Sequence, residues 1–206
     1  MEIQVLAWEQ TTKKIYQGVL IYSICGVLDS IISPIVSLTG KASAIASFAG
    51  GGSGGFSGIF SAENILPLLI IVGYIMYLLG LNEFKKILPA GDSSSVGKIL
   101  TATILVIVAM FIGFLPLMGW VKGILSIIAF ILMIIGYSNL KDSGTFPEMA
   151  RKGASKLFTA MILSLVGVVI GFIPLVGGFI KMVLLIVAFF MIFSGWKHIK
   201  NAVQQA

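Results

Sequence analysis

Chemistry in this chain has few carriers. Asp29 is the only carboxylate within a run apolar enough to cross a membrane, and Glu63 stands just before the next such run. Asp29 precedes Pro34 by five residues, about 7.5 Å of helical rise, so it is expected near the outer interface. Lys122 and Lys181 fall at a similar depth, near the starts of the fourth and sixth apolar runs. A cation at a helix N-terminus opposes the helix dipole, so its recurrence implies an anion nearby. Asp29, Glu63 or a lipid phosphate could supply it. Two uses of this group stay open: an ion pair or lipid contact, and coupling to a substrate or proton.

Other chemistry is excluded more easily. One His and one Cys in the whole chain cannot assemble a Cys/His metal site, and no disulfide can form within the chain. Cys25 reads as a small packing residue and His198 as part of a solvated Lys-rich tail. Trp8, Trp120, Trp196, Tyr16 and Tyr137 stand near run ends, the pattern of an interfacial aromatic belt. Nothing pairs a nucleophile with a base or sets two carboxylates at one depth, so neither enzyme activity nor a cofactor is expected. The net charge of +6 comes from cations at the ends of apolar runs, which suits a membrane surface and not nucleic acid.

The elements that position these groups follow from composition. Hydrophobic residues make up 58% of the 206 and charged residues 11%, with a mean hydropathy of +1.07. A soluble domain carries about a quarter charged residues, and a compact fold of this size cannot hide so much apolar surface from water. Six apolar runs, at 15–32, 65–81, 99–115, 120–137, 157–173 and 179–196, predict six transmembrane helices. Residues 1–12 hold Glu2 and Glu9 without a Lys or Arg, unlike the start of a signal peptide. They are expected to form a cytoplasmic or interfacial lead-in.

Lysine and arginine set the orientation. Eleven lie on the side of the N-terminus and three, Lys41, Lys122 and Lys181, on the other. The positive-inside rule then puts both termini in the cytoplasm of a plasma (inner) membrane protein.

The chain also repeats itself. Residues 98–119 and 156–177 are identical at 12 of 22 positions, including Gly-Phe-x-Pro-Leu-x-Gly in each turn. With one inserted residue, Lys122 matches Lys181, Ala129 matches Ala188, Gly136 matches Gly195 and Lys141 matches Lys200. A fainter first copy supplies Gly73, Gly80 and Lys85, with Pro34 as its turn proline. The expected fold is therefore an all-α membrane protein of three parallel helical hairpins: 13–86, 96–141 and 153–200, with a tail at 201–206. Parallel copies imply a pseudo-threefold axis along the membrane normal, distinct from an inverted-repeat transporter.

Small residues spaced along the helices are the expected packing surfaces, because close backbone approach drives helix association in lipid. They are Gly73 and Gly80, Ala109 and Gly113, Ala129 and Gly136, Gly167 and Gly171, and Ala188 and Gly195. Such faces serve packing within the chain or pairing of two copies. The first copy departs from the others by an insertion at 39–62, of whose 24 residues 17 are Gly, Ser or Ala. A flexible extracytoplasmic linker is the first reading, and a re-entrant element over 42–49 or a partner contact are alternatives.

Two classes of function fit. The first is a non-catalytic membrane module that acts through helix contacts: an accessory subunit, an assembly factor or a toxin-protecting protein. Its partners would be the bilayer, another membrane protein or a second copy. The second is a small transporter or channel, for which an apolar or lipid-like ligand suits helices with so few polar groups.

Overall fold

The protein, seen here as a computed structural model, is described at residues 2–47, 62–112, 118–171, 173 and 177–202; side chains are described at these positions except 2–4, 29–47, 62–67 and 177–178. Among the described residues it is all-helical. The six helices are α1 (Glu2–Ser47), α2 (Ala62–Ile87), α3 (Ala90–Ile112), α4 (Gly119–Lys141), α5 (Glu148–Ile170) and α6 (Gly177–Asn201).

Among the described residues, five segments are long and apolar enough to cross a membrane: Leu68–Ile87, Ala90–Ile112, Gly119–Lys141, Glu148–Ile170 and Phe179–Asn201. At 1.5 Å per residue, a helix of 23 residues is about 34 Å long, enough for a hydrocarbon core of about 30 Å. Large apolar side chains cover the outside, among them Trp120 at 69% exposed and Phe190 at 64%. An aqueous surface would not tolerate such a continuous apolar coat, whereas lipid does.

Each helix packs most extensively on its chain neighbour, as α1 on α2, α3 on α4 and α5 on α6. Contacts of α2 with α3, α4 with α5 and α6 with α1 close the six into a ring. The inward stripes have helical spacing. On α3 the stripe is Asp92, Ser95, Val96, Ile99, Ala102 and Thr103. On α5 it is Ala150, Gly153, Ala154, Leu157 and Ala160. On α1 it is Trp8, Thr11, Thr12, Ile15 and Val19.

Proline sets the links between hairpins. Only Leu88 and Pro89 separate α2 from α3, and Pro89 passes its carbonyl to Ser93 N at 2.8 Å as α3 begins. Pro147 caps the start of α5, with Glu148 in the first turn. Proline suits a helix start because the missing N–H would be unpaired there anyway. Lys85 and Lys86, Lys141, and His198 and Lys200 occupy the last turns of α2, α4 and α6, where cations favour the dipole. One end of the bundle is thus rich in lysine.

Three expectations are corrected here. Residues 2–12 are the opening turns of α1, not a separate lead-in, and Trp8 is buried in the bundle. The first hairpin does not turn at Pro34, because α1 runs through it to Ser47. A proline inside a membrane helix loses one backbone bond but is tolerated where neighbours compensate. Residues 39–47 are accordingly helical and not linker. The rest of the insertion, 48–61, and the turn prolines Pro116 and Pro174 lie outside the described residues.

Candidate functional site

The charged group expected near the outer interface is only partly described. The Asp29 backbone is part of α1 and that of Glu63 is part of α2, but both side chains lie outside the described residues. Lys122 is exposed, whereas Lys181 is half-buried. A Cβ added at Gly171 would lie 2.8 Å from Lys181 Cδ, so the lysine stem occupies the space that this glycine leaves.

The small residues are placed as follows. A Cβ at Gly73 would come 2.6 Å from Tyr22 N, and one at Gly80 would come 2.7 Å from Ile15 Cγ1. One at Gly136 would come 2.5 Å from Ile99 Cγ1, and one at Gly195 would come 2.8 Å from Leu157 Cγ. Ala109, Ala129 and Ala188 are buried. Gly167 differs, for its Cβ would meet Leu184 Cβ at an ordinary 3.5 Å. Gly113 lies outside the described residues.

Two tight approaches were not read from the sequence. A Cβ at Gly18 would lie 2.5 Å from Tyr77 N, and one at Gly153 would lie 2.5 Å from the Gly195 carbonyl oxygen. A signal was present. Lys14-Ile15, Lys98-Ile99 and Lys156-Leu157 each pair a lysine with a branched aliphatic residue, and four positions past each lysine stand Gly18, Ala102 and Ala160.

Aromatic residues fill the ring from within. Tyr22 stacks on Tyr74 with centroids 4.4 Å apart, and Tyr77 meets the edge of Trp196 at 5.7 Å. The hydroxyls of Tyr77 and Tyr137 share a 2.8 Å hydrogen bond. Trp196 Nε1 is buried with no hydrogen-bond partner among the described residues. Toward the lysine-rich end, Trp8, Phe84 and Phe146 form a second cluster, with centroid distances of 4.8, 5.8 and 6.4 Å. The belt assignment of Trp8, Tyr137 and Trp196 is therefore corrected: all three are buried in the bundle. Trp120 alone of the three tryptophans faces outward.

Polar pairs join helices at the lysine-rich end. Lys14 Nζ lies 2.7 Å from Glu83 Oε1. Lys156 Nζ donates to Ser194 Oγ at 2.8 Å and faces His198 Nε2 at 3.4 Å. His198 Nδ1 donates to the Ser194 carbonyl at 2.8 Å, which leaves Nε2 as the acceptor. His198 is thus half-buried against α5 and not part of a solvated tail. Asp92 is buried and accepts a 2.8 Å bond from Thr145 Oγ1 in the α4–α5 link. In that link Ser143 Oγ also accepts from the backbone N–H of Thr145 and Phe146, at 3.2 and 3.3 Å.

Four hydroxyls along the spans turn back on their own helices. Thr101, Thr103, Thr159 and Ser164 each donate to the carbonyl four residues earlier, at 2.9 to 3.0 Å. A hydroxyl bonded this way is satisfied without a partner across the bundle. The arrangement can pack and lock helices, and it gathers phenol and indole groups at the centre. The chain matches no protein-family model, no curated protein and no solved structure.

Proposed function

We propose that the chain is a non-catalytic membrane module built from three copies of one helical hairpin, with both termini in the cytoplasm of a plasma (inner) membrane protein. The repeated seam supports the three-copy reading. Gly80 sits on Ile15, Gly136 on Ile99 and Gly195 on Leu157, the same two positions in each hairpin. Lysines at matched positions also reach into the next hairpin. Lys141 lies over the Phe158 ring at 5.2 Å and Lys200 over the Tyr16 ring at 5.6 Å, while Lys85 Nζ approaches Gly97.

The observation that carries the functional reading is the fate of the span hydroxyls. A pore or substrate path needs polar groups free to replace hydration, and Thr101, Thr103, Thr159 and Ser164 are instead bonded to their own backbones. The module acts instead through its outer faces. Helices α4 and α6 are the least buried of the five spans, and they offer Ile127, Phe179 and Phe190 to a partner within the bilayer.

Photo-crosslinking in intact cells tests this directly. A crosslinker at Ile127 or Phe190 should capture one defined membrane protein, and the purified chain in liposomes should show no flux above empty vesicles. Capture of lipid alone, together with measurable flux of an ion or apolar solute, would overturn the reading. If Asp29→Asn then folds normally yet abolishes that flux, the chain is a transporter and Asp29 its coupling group.

A further inference from the structure

We propose that the cleft between α4 and α5 at the lysine-rich end binds a phosphate-bearing anion, the headgroup of an anionic lipid. The cleft is open, has a volume of about 360 Å³, and is lined by Lys141, Glu148, Arg151, Lys152 and Ser155. Three cations against one carboxylate leave a net charge of +2 on its walls. Ser155 adds a hydroxyl, which can donate to a phosphate oxygen.

The charges are differently engaged. Lys152 Nζ pairs with Glu148 at 2.8 Å, and both side chains are more than two-thirds exposed. Such a surface pair is worth little and yields readily to a stronger anion. Lys141 Nζ pairs with Asp142 at 2.9 Å and lies over the Phe158 ring, which holds it at the rim. Arg151 is half-buried and has no ion pair among the described residues. Its planar guanidinium suits two phosphate oxygens at once. The first turn of α5 adds the positive end of its dipole.

The site is not a by-product of topology signals common to all hairpins. At the α2–α3 junction the link is only Leu88 and Pro89, and the positions matching Arg151 and Lys152 are Ser93 and Ser94. The α4–α5 link spans 142–147. The longer link and the added cations occur together, as a built site requires. Basic pockets between spans, at the level of the cytoplasmic headgroups, are where anionic lipids are held.

The experiment uses the full chain purified in mild detergent, with lipid retention read by native mass spectrometry. The wild type should retain phosphatidylglycerol in preference to phosphatidylcholine. Each cation near an anionic surface contributes roughly a fivefold preference, so Arg151→Gln with Lys152→Gln should reduce it about 25-fold. Arg151→Lys alone, which keeps the charge but loses the fork, should fall between. Inorganic phosphate added at millimolar concentration separates two sources of the same chemistry. Failure to displace the lipid identifies a lipid headgroup site. Displacement that depends on Arg151 shows a site for the phosphate group itself. An unchanged preference in Arg151→Gln/Lys152→Gln would overturn the proposal. So would an equal loss in Lys13→Gln/Lys197→Gln, which removes two exposed cations outside the cleft.

Discussion

Trp8 Nε1 donates a 2.9 Å hydrogen bond to the Ile199 carbonyl, across 191 positions of sequence. This bond joins the first helix to the last. The final carbonyls of a helix have no partner within it, and among the described residues the Ile199 oxygen is otherwise reached only by Ala202 N at 3.3 Å. The indole therefore caps α6, while its ring packs against Phe84 and Phe146.

Trp8 separates these two contributions. Trp8→Phe keeps much of the ring and loses the bond, so it should cost about 1 kcal/mol. Trp8→Ala also empties a buried site and should cost about 3–5 kcal/mol. Thermal unfolding in detergent measures both. Equal, small losses would show that the α1–α6 contact does not hold the ring closed.

Helix contacts give a second ordering. Gly18→Ala and Gly153→Ala each force a Cβ against backbone atoms 2.5 Å away, which cannot move as a flexible side chain would. Each should cost about 1–3 kcal/mol as overpacking. Gly167→Ala meets only Leu184 Cβ at 3.5 Å and should be close to neutral. Unfolding midpoints that fail to separate Gly167 from the other two would contradict this packing.

That contrast shows what the residues alone could reveal. Repeat spacing located Gly80, Gly136 and Gly195, because a small residue recurring at one register has a geometric reason to recur. It did not rank Gly167 against Gly153, because a GxxxG pattern is blind to what faces it. Trp8 and Trp196 were misread for a related reason. A tryptophan near the end of an apolar run fits an interfacial belt and a bundle core equally well. Here α1, α3 and α5 begin well before their apolar runs at the lysine-rich end, and the added turns bury what would otherwise lie at the interface. The path of α1 through Pro34 was illegible because proline and a Gly/Ser/Ala tract both read as breakers.

Topology rests on the lysine distribution and is tested by access. In a Cys25→Ser background, Ser94→Cys and Gly144→Cys should resist an impermeant thiol reagent in intact cells, and Ser53→Cys should react. Ser94 and Gly144 are both exposed, so protection would reflect the membrane and not burial. Labelling of Ser94→Cys or Gly144→Cys in sealed cells would reverse the orientation.

The tyrosine pair at the centre of the ring gives the most discriminating test. Tyr77 and Tyr137 are both buried, and their hydroxyls bond each other at 2.8 Å. Either oxygen can be the donor, so each hydroxyl has the other as its hydrogen-bond partner. Removing one leaves a buried polar group unpaired, which costs about 1–3 kcal/mol. Removing both leaves two apolar rings of nearly the same shape, which is close to neutral. Tyr77→Phe and Tyr137→Phe should therefore each lower the unfolding midpoint, while the double variant recovers much of the loss. The coupling, the two single losses less that of the double variant, should amount to about 2–6 kcal/mol. Additive losses would mean that a second group satisfies each hydroxyl. At Tyr137 the candidate is the Trp196 indole, buried against the Tyr77 ring with its N–H unspent. Trp196→Phe in the Tyr77→Phe background tests that alternative, since a further loss there would show the indole supporting Tyr137 once its first partner is gone.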